Sequence, residues 1–85
     1  MKSFEYVVKD ELGIHARPAG LLVKEAKKFT SKIVLTKDGK TAEATKLMAV
    51  MSLGVKQNEK ISVTVEGDDE DAASIAIKNF FEEQL

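Results

Sequence analysis

Between residues 3 and 9 apolar and polar side chains alternate. Phe4, Tyr6 and Val8 fall on one face and Glu5 and Lys9 on the other, with only Val7 out of step. A period of two marks a half-buried strand. Asp10-Glu11-Leu12-Gly13 then makes a polar turn. From residue 16 to 29 the period changes: Ala19, Leu22, Val23 and Ala26 recur at i, i+3, i+4 and i+7, one face of a helix. Lys24, Lys27 and Lys28 sit in its last turns, where the helix dipole favours cations. Residues 32–37, with Ile33, Val34 and Leu35, predict a second strand, Asp38-Gly39 a tight hairpin, and residues 40–44 the returning arm. Thr45 fits an N-cap and Gly54 a C-terminal stop for a short helix over 46–53. Residues 60–66 alternate cleanly, Ile61, Val63 and Val65 against Ser62, Thr64 and Glu66, as a strand with one wet face does. Gly67 turns the chain. Asp68, Asp69, Glu70 and Asp71 then load the start of a last helix with negative charge suited to its dipole, and Ala73, Ala76, Ile77 and Phe80 are its predicted buried stripe.

The order is βαββαβα, an α+β arrangement. Helices covering one face of a mostly antiparallel sheet would bury Phe4, Tyr6, Val8, Ile33, Leu35, Ile61, Val63 and Val65. With 85 residues, one domain spanning 1–85 and one modest core are the expectation. A hydrophobic share of 44% can fill such a core, and 32% charge is that of a folded chain with a solvated surface. Cysteine is absent, which favours a reducing cytoplasm over secretion. The longest apolar runs are only a few residues, too short for a signal peptide or a membrane span. The net charge of −1 gives no reason to expect nucleic acid as a partner, and Lys24, Lys27, Lys28 and Lys32 fit a solvated helix end.

Candidate chemistry gathers in Gly13-Ile14-His15-Ala16-Arg17-Pro18-Ala19-Gly20, which contains the chain's one histidine and one proline. Proline is tolerated in a first helical turn, where N–H groups have no intrahelical partner, so Pro18 belongs there and His15 falls at or just before the N-cap. One histidine without cysteine cannot close a metal site, and nothing calls for a cofactor. General acid–base work needs a partner nucleophile and a pocket that so short a chain has little room for. A nucleophilic imidazole remains. Phosphorylated, His15 would carry roughly two negative charges, matched by the N–H groups of Ala16 and Arg17 and by the Arg17 guanidinium. The dipole contributes about 0.3–1 kcal/mol at an exposed site. So moderate a hold suits a carrier that must release what it accepts. The other reading of the same residues is a surface histidine capping a helix, and spacing alone does not choose between the two.

The run Gly13 to Ala19, and the later Leu47-Met48-Ala49-Val50-Met51-Ser52-Leu53-Gly54, resemble the HPr family, the histidine-containing phosphocarriers of the bacterial phosphoenolpyruvate-dependent sugar phosphotransferase system. The similarity spans nearly the whole chain. It implies an HPr-like open-faced β-sandwich, with a four-stranded antiparallel sheet in the order 1-4-2-3 and three helices on one face. It implies a cytoplasmic, monomeric carrier, not an enzyme, whose His15 accepts a phosphoryl group on Nδ1 from phospho-enzyme I and passes it to IIA domains of sugar permeases. Arg17 would contact the phosphate. Partners would dock through the first two helices, at Ala19, Gly20, Leu47, Met48 and Met51, with Val50 turned into the core and Met48 outward. Apolar, Met-bearing patches suit several partners. One departure stands out: Lys46 occupies the position where Gram-positive relatives carry a regulatory serine, so kinase control through that residue is expected to be missing. Neighbouring Thr45 supplies a hydroxyl but fits a cap. The alternative within the same resemblance is a regulatory protein-binding module of a nitrogen-related branch. Phosphotransfer onward to a sugar-specific IIA domain would separate the two.

Overall fold

A computed structural model describes residues 1–85. The strands are β1 (Lys2–Val7), β2 (Lys32–Lys37), β3 (Lys40–Glu43) and β4 (Lys60–Glu66), and the helices α1 (Ala16–Ala26), α2 (Leu47–Ser52) and α3 (Glu70–Gln84). The sheet order is β1-β4-β2-β3 with every neighbouring pair antiparallel, the order the resemblance implies. Its register pairs Phe4 with Val63 and Tyr6 with Ile61 on one side of β4, and Ile33 with Val65 and Leu35 with Val63 on the other. The inward sides of the three longer strands therefore line up under the helices. Their outward sides carry Ser3, Glu5, Val34, Thr36, Ser62 and Thr64, part of a face that no helix covers. The β2–β3 turn has Asp38 at φ 51° and Gly39 at φ 80°, the pair of positive angles that a two-residue hairpin matching strand twist requires.

Nineteen buried apolar residues form one cluster between sheet and helices. Phe81 is its largest fully buried side chain; it stacks on Tyr6 at 5.6 Å and meets Phe4 edge-on at 6.1 Å. Phe4 and Tyr6 are themselves half-buried, their rings closing the rim of the core. The stripe of α3 is Ala73, Ile77, Phe81 and then Leu85, a strict four-residue repeat. The expected Ala76 and Phe80 lie one position off it and are only half-buried.

Three of the element ends that differ from expectation do so because backbone hydrogen bonds are drawn elsewhere. β1 stops at Val7, not at residue 9: the Val8 N–H donates to Glu59 C=O, and the Lys9 and Asp10 N–H groups turn to Leu85 C=O at 2.6 and 2.8 Å. α1 stops at Ala26, not at 29. There the Lys28 and Phe29 N–H groups bond only three residues back, and the Thr30 and Ser31 N–H groups are captured by the Asp69 carboxylate at 2.9 Å each. α2 is capped by Lys46, not Thr45: the Lys46 N–H turns back to Glu43 C=O, and its own C=O takes the Val50 N–H at 3.0 Å. No helix is long and apolar enough to cross a membrane.

Candidate functional site

The histidine loop is rigid before it reaches the histidine. Gly13 N–H donates to Asp10 C=O at 2.9 Å, and Leu12 N–H to Asp10 Oδ1 at 2.8 Å, so residues 10–13 form a closed turn. Gly13 sits at φ 68° pressed against the chain that follows α2. A Cβ there would lie 2.2 Å from Val55 O, so both angle and space demand glycine. Ile14 is buried, and its N–H donates to the same Val55 C=O at 3.0 Å. His15 follows in extended conformation (φ −106°, ψ −174°) as the N-cap of α1, and its C=O takes the Ala19 N–H at 2.9 Å.

Two donors are left over. The Ala16 and Arg17 N–H groups have no acceptor within the protein, Pro18 has no N–H to leave unpaired, and the His15 side chain makes no capping bond. The imidazole is 35% exposed, and its Nε2 lies 3.9 Å from Asp10 Oδ1. Arg17 is exposed and takes part in none of the chain's ion pairs. Asp10, His15, Arg17, Pro18, Leu21 and Gln84 line one shallow depression. No group of three histidine, aspartate or glutamate side chains is placed to hold a metal ion. What the corner offers is therefore a reachable nucleophilic nitrogen beside unpaired N–H donors, a free guanidinium and the positive end of a helix, which is a setting for an anion.

The predicted interface residues divide. Ala19 has no exposed surface and lies on the buried stripe of α1 with Leu22 and Ala26, so its side chain presents nothing to a partner. The apolar repeat Ala19, Leu22, Val23 and Ala26 already points it inward, and the interface expectation set that repeat aside. Gly20 is half-buried, and nothing lies within 4 Å of where its Cβ would be. On α2, Val50 is fully buried and Met48 is 74% exposed, both as expected, while Leu47 and Met51 are partly exposed. Lys46 is exposed, Thr45 is half-buried, and Ser52 Oγ donates to Met48 C=O at 2.7 Å. The end of α2 is tied down by Lys37, whose Nζ reaches Gly54 C=O at 3.0 Å and Glu59 Oε1 at 2.9 Å. That Lys37 hydrogen bond, with one from the Lys56 N–H, holds the Glu59 carboxyl below its ordinary range. Sequence reasoning missed Asp10 and Gln84 beside the histidine, and the exposed Leu12 and Leu21 near it. Asp10 is brought there by the reversal at Gly13, which leaves no periodic trace.

The family model described as the PTS HPr component phosphorylation site matches residues 2–83. The phosphocarrier protein HPr of Mycoplasma pneumoniae is 45% identical over 83 residues, covering 96% of this chain and 94% of that protein. Among solved structures, HPr-C-His from Thermoanaerobacter tengcongensis superposes with a TM-score of 0.93 at 42% identity, covering 98% of this chain and 93% of that one. A mycoplasma histidine-containing phosphocarrier protein matches with the same TM-score at 35% identity, covering 96% and 93%.

Proposed function

This chain belongs to the HPr family of phosphocarrier proteins, and from that premise we propose that His15 Nδ1 accepts a phosphoryl group from phospho-enzyme I and hands it to IIA domains of sugar permeases. In each step the bond from phosphorus to the donor breaks as the bond to the acceptor nitrogen forms, and no third reactant is consumed. The proposal places the chain in the bacterial cytoplasm, between a soluble donor and the permeases it supplies.

The observation that carries the reading is the combination at the start of α1: a one-third exposed imidazole, two N–H groups without acceptors and an arginine without an ion pair. Charge-assisted hydrogen bonds from these groups hold the incoming oxygens. Because the site is open to solvent, each contact is weak enough to be exchanged for a partner's. Gly20, Leu47, Met48 and Met51, joined by Leu12 and Leu21, supply the apolar rim on which partners dock, and methionine suits a surface that accepts more than one of them.

Transfer from labelled phosphoenolpyruvate with purified enzyme I tests it. Wild type should gain acid-labile, alkali-stable label and pass it to a sugar-specific IIA domain. His15→Ala should gain none, and label retained in that variant overturns the assignment. Arg17→Ala should slow acceptance about tenfold, the weight of one charge-assisted hydrogen bond, with folding intact. Lys46, at the position of the regulatory serine of Gram-positive relatives, cannot accept phosphate, so incubation with the ATP-dependent kinase of those relatives should leave α2 unmodified. Label on Thr45 or Ser52 would defeat that part.

A further inference from the structure

Asp10 has no place in the phosphate chemistry just described, yet its carboxylate is the only anion in the depression that holds His15. We infer that Asp10 is a positioning residue for His15, holding the imidazole proton on Nε2 and so leaving the Nδ1 lone pair for phosphorus. This rests on His15 being the phosphoryl acceptor.

A neutral imidazole carries one proton, on one nitrogen or the other, and only the bare nitrogen is a nucleophile. Which nitrogen is bare depends on what faces the ring. Asp10 Oδ1 lies 3.9 Å from Nε2. That is beyond hydrogen-bond length, but a negative charge at this distance favours the tautomer with its N–H dipole toward it. The competing charge is Arg17, a cation, which disfavours a proton on the nitrogen it faces. The remaining lining residues, Pro18 and Leu21 of α1 and Gln84 at the end of α3, carry no charge.

Asp10 is also held where it is. Its N–H donates to Leu85 C=O at 2.8 Å, its C=O takes the Gly13 N–H at 2.9 Å, and Oδ1 takes the Leu12 N–H at 2.8 Å. The same oxygen that faces the ring is pinned by Leu12, so the carboxylate cannot swing toward the incoming phosphate and repel it. On transfer, the donor's bond to phosphorus breaks and its electron pair stays with the donor nitrogen, while the Nδ1 lone pair forms the new bond. The proton on Nε2 stays, the phosphorylated ring becomes cationic, and Asp10 faces that new charge.

Asp10→Asn removes the charge and keeps an oxygen for the Leu12 N–H. Asp10→Ser, a shorter uncharged acceptor, serves should the first variant fold poorly. In protein labelled with nitrogen-15 at histidine, at a pH where the ring is neutral, nitrogen shifts report the tautomer directly. Both variants should show Nε2–H falling toward its share in a free histidine side chain, and phosphate acceptance from enzyme I slowing about two- to fivefold, chiefly because the cationic phosphorylated ring loses the charge it faces. An unchanged tautomer in both variants overturns the inference, as does a shifted tautomer with an unchanged rate. The tautomer is read on unphosphorylated protein, so these failures stay distinct from failure of the carrier reading, which is a wild type that accepts no phosphate.

Discussion

Gly13 bears on the site without touching it. Its left-handed backbone at φ 68° and the 2.2 Å that would separate a Cβ from Val55 O leave no room for a side chain. Gly13→Ala must therefore twist the turn or push the histidine loop off the segment between α2 and β4. The expected cost is about 1–3 kcal/mol of stability, read as a lower urea midpoint, together with displaced amide resonances at Ile14 and His15. Gly20→Ala is the control: nothing stands within 4 Å of its Cβ and alanine is the better helix former, so stability should hold or rise slightly. At this scale the sequence was most legible where chemistry is rare. One histidine, one proline and an arginine between them marked the corner. Asp10 went unread because its approach to the ring depends on a turn closed through Gly13 and Leu12, and Ala19 was assigned to the interface against the helical repeat that places it in the core.

α2 divides its work between two faces. Val50 is fully buried and Met48 three-quarters exposed, two residues apart on a helix of six. Val50→Ala should lose about 1–3 kcal/mol in denaturant unfolding. Met48→Ala should stay within about 0.5 kcal/mol of wild type yet weaken phosphate exchange with partners; a Met48→Ala variant that transfers at the wild-type rate would remove that residue from the docking surface. Strands were legible at this scale because an antiparallel sheet with one wet face writes its alternation into Phe4 to Val8 and Ile61 to Val65. Helix ends were less so. The pattern of α1 runs on through Phe29, which does pack against the core, but the chain has by then left the helix for Asp69. Phe80 and Phe81 are equally apolar neighbours; Phe81 continues the buried repeat of Ala73 and Ile77 and meets the rings of Phe4 and Tyr6 opposite.

Over the whole molecule, Asp69 is a long-range tie. At the N-cap of α3 it accepts from the Ser31 hydroxyl and from the Thr30 and Ser31 N–H groups, joining parts of the chain 38 and 39 residues apart. Gly67 makes room for this: a Cβ there would lie 2.7 Å from Ser31. The Ser31 hydroxyl, then the Thr30 N–H, hold the Asp69 carboxyl below its ordinary 3.8, as Lys37 holds that of Glu59 below 4.5. Carboxyls lowered by folding contribute stability that is complete above their unfolded values and is lost as pH falls through the folded ones. Urea midpoints should therefore fall as pH drops below about 4.5, and Asp69→Asn should be weaker at neutral pH with a shallower acid decline. A variant as acid-sensitive as wild type would assign the loss to other carboxylates. The acidic run before α3 was legible as a dipole match; that one of its members reaches back to the end of α1 was not, since the partners share no local pattern.

The Gly13 and Ile14 backbone leans on Val55, two residues past Leu53 at the end of α2. Any molecule that grips the small apolar helix thereby takes hold of the reactive ring's own foundation, as one grips a key by its bow to aim the bit. On the proposed function, orientation of the two reacting nitrogens would rest on a handhold made of side chains that take no part in the chemistry, and those side chains would be free to vary to fit a new hand without disturbing the lock.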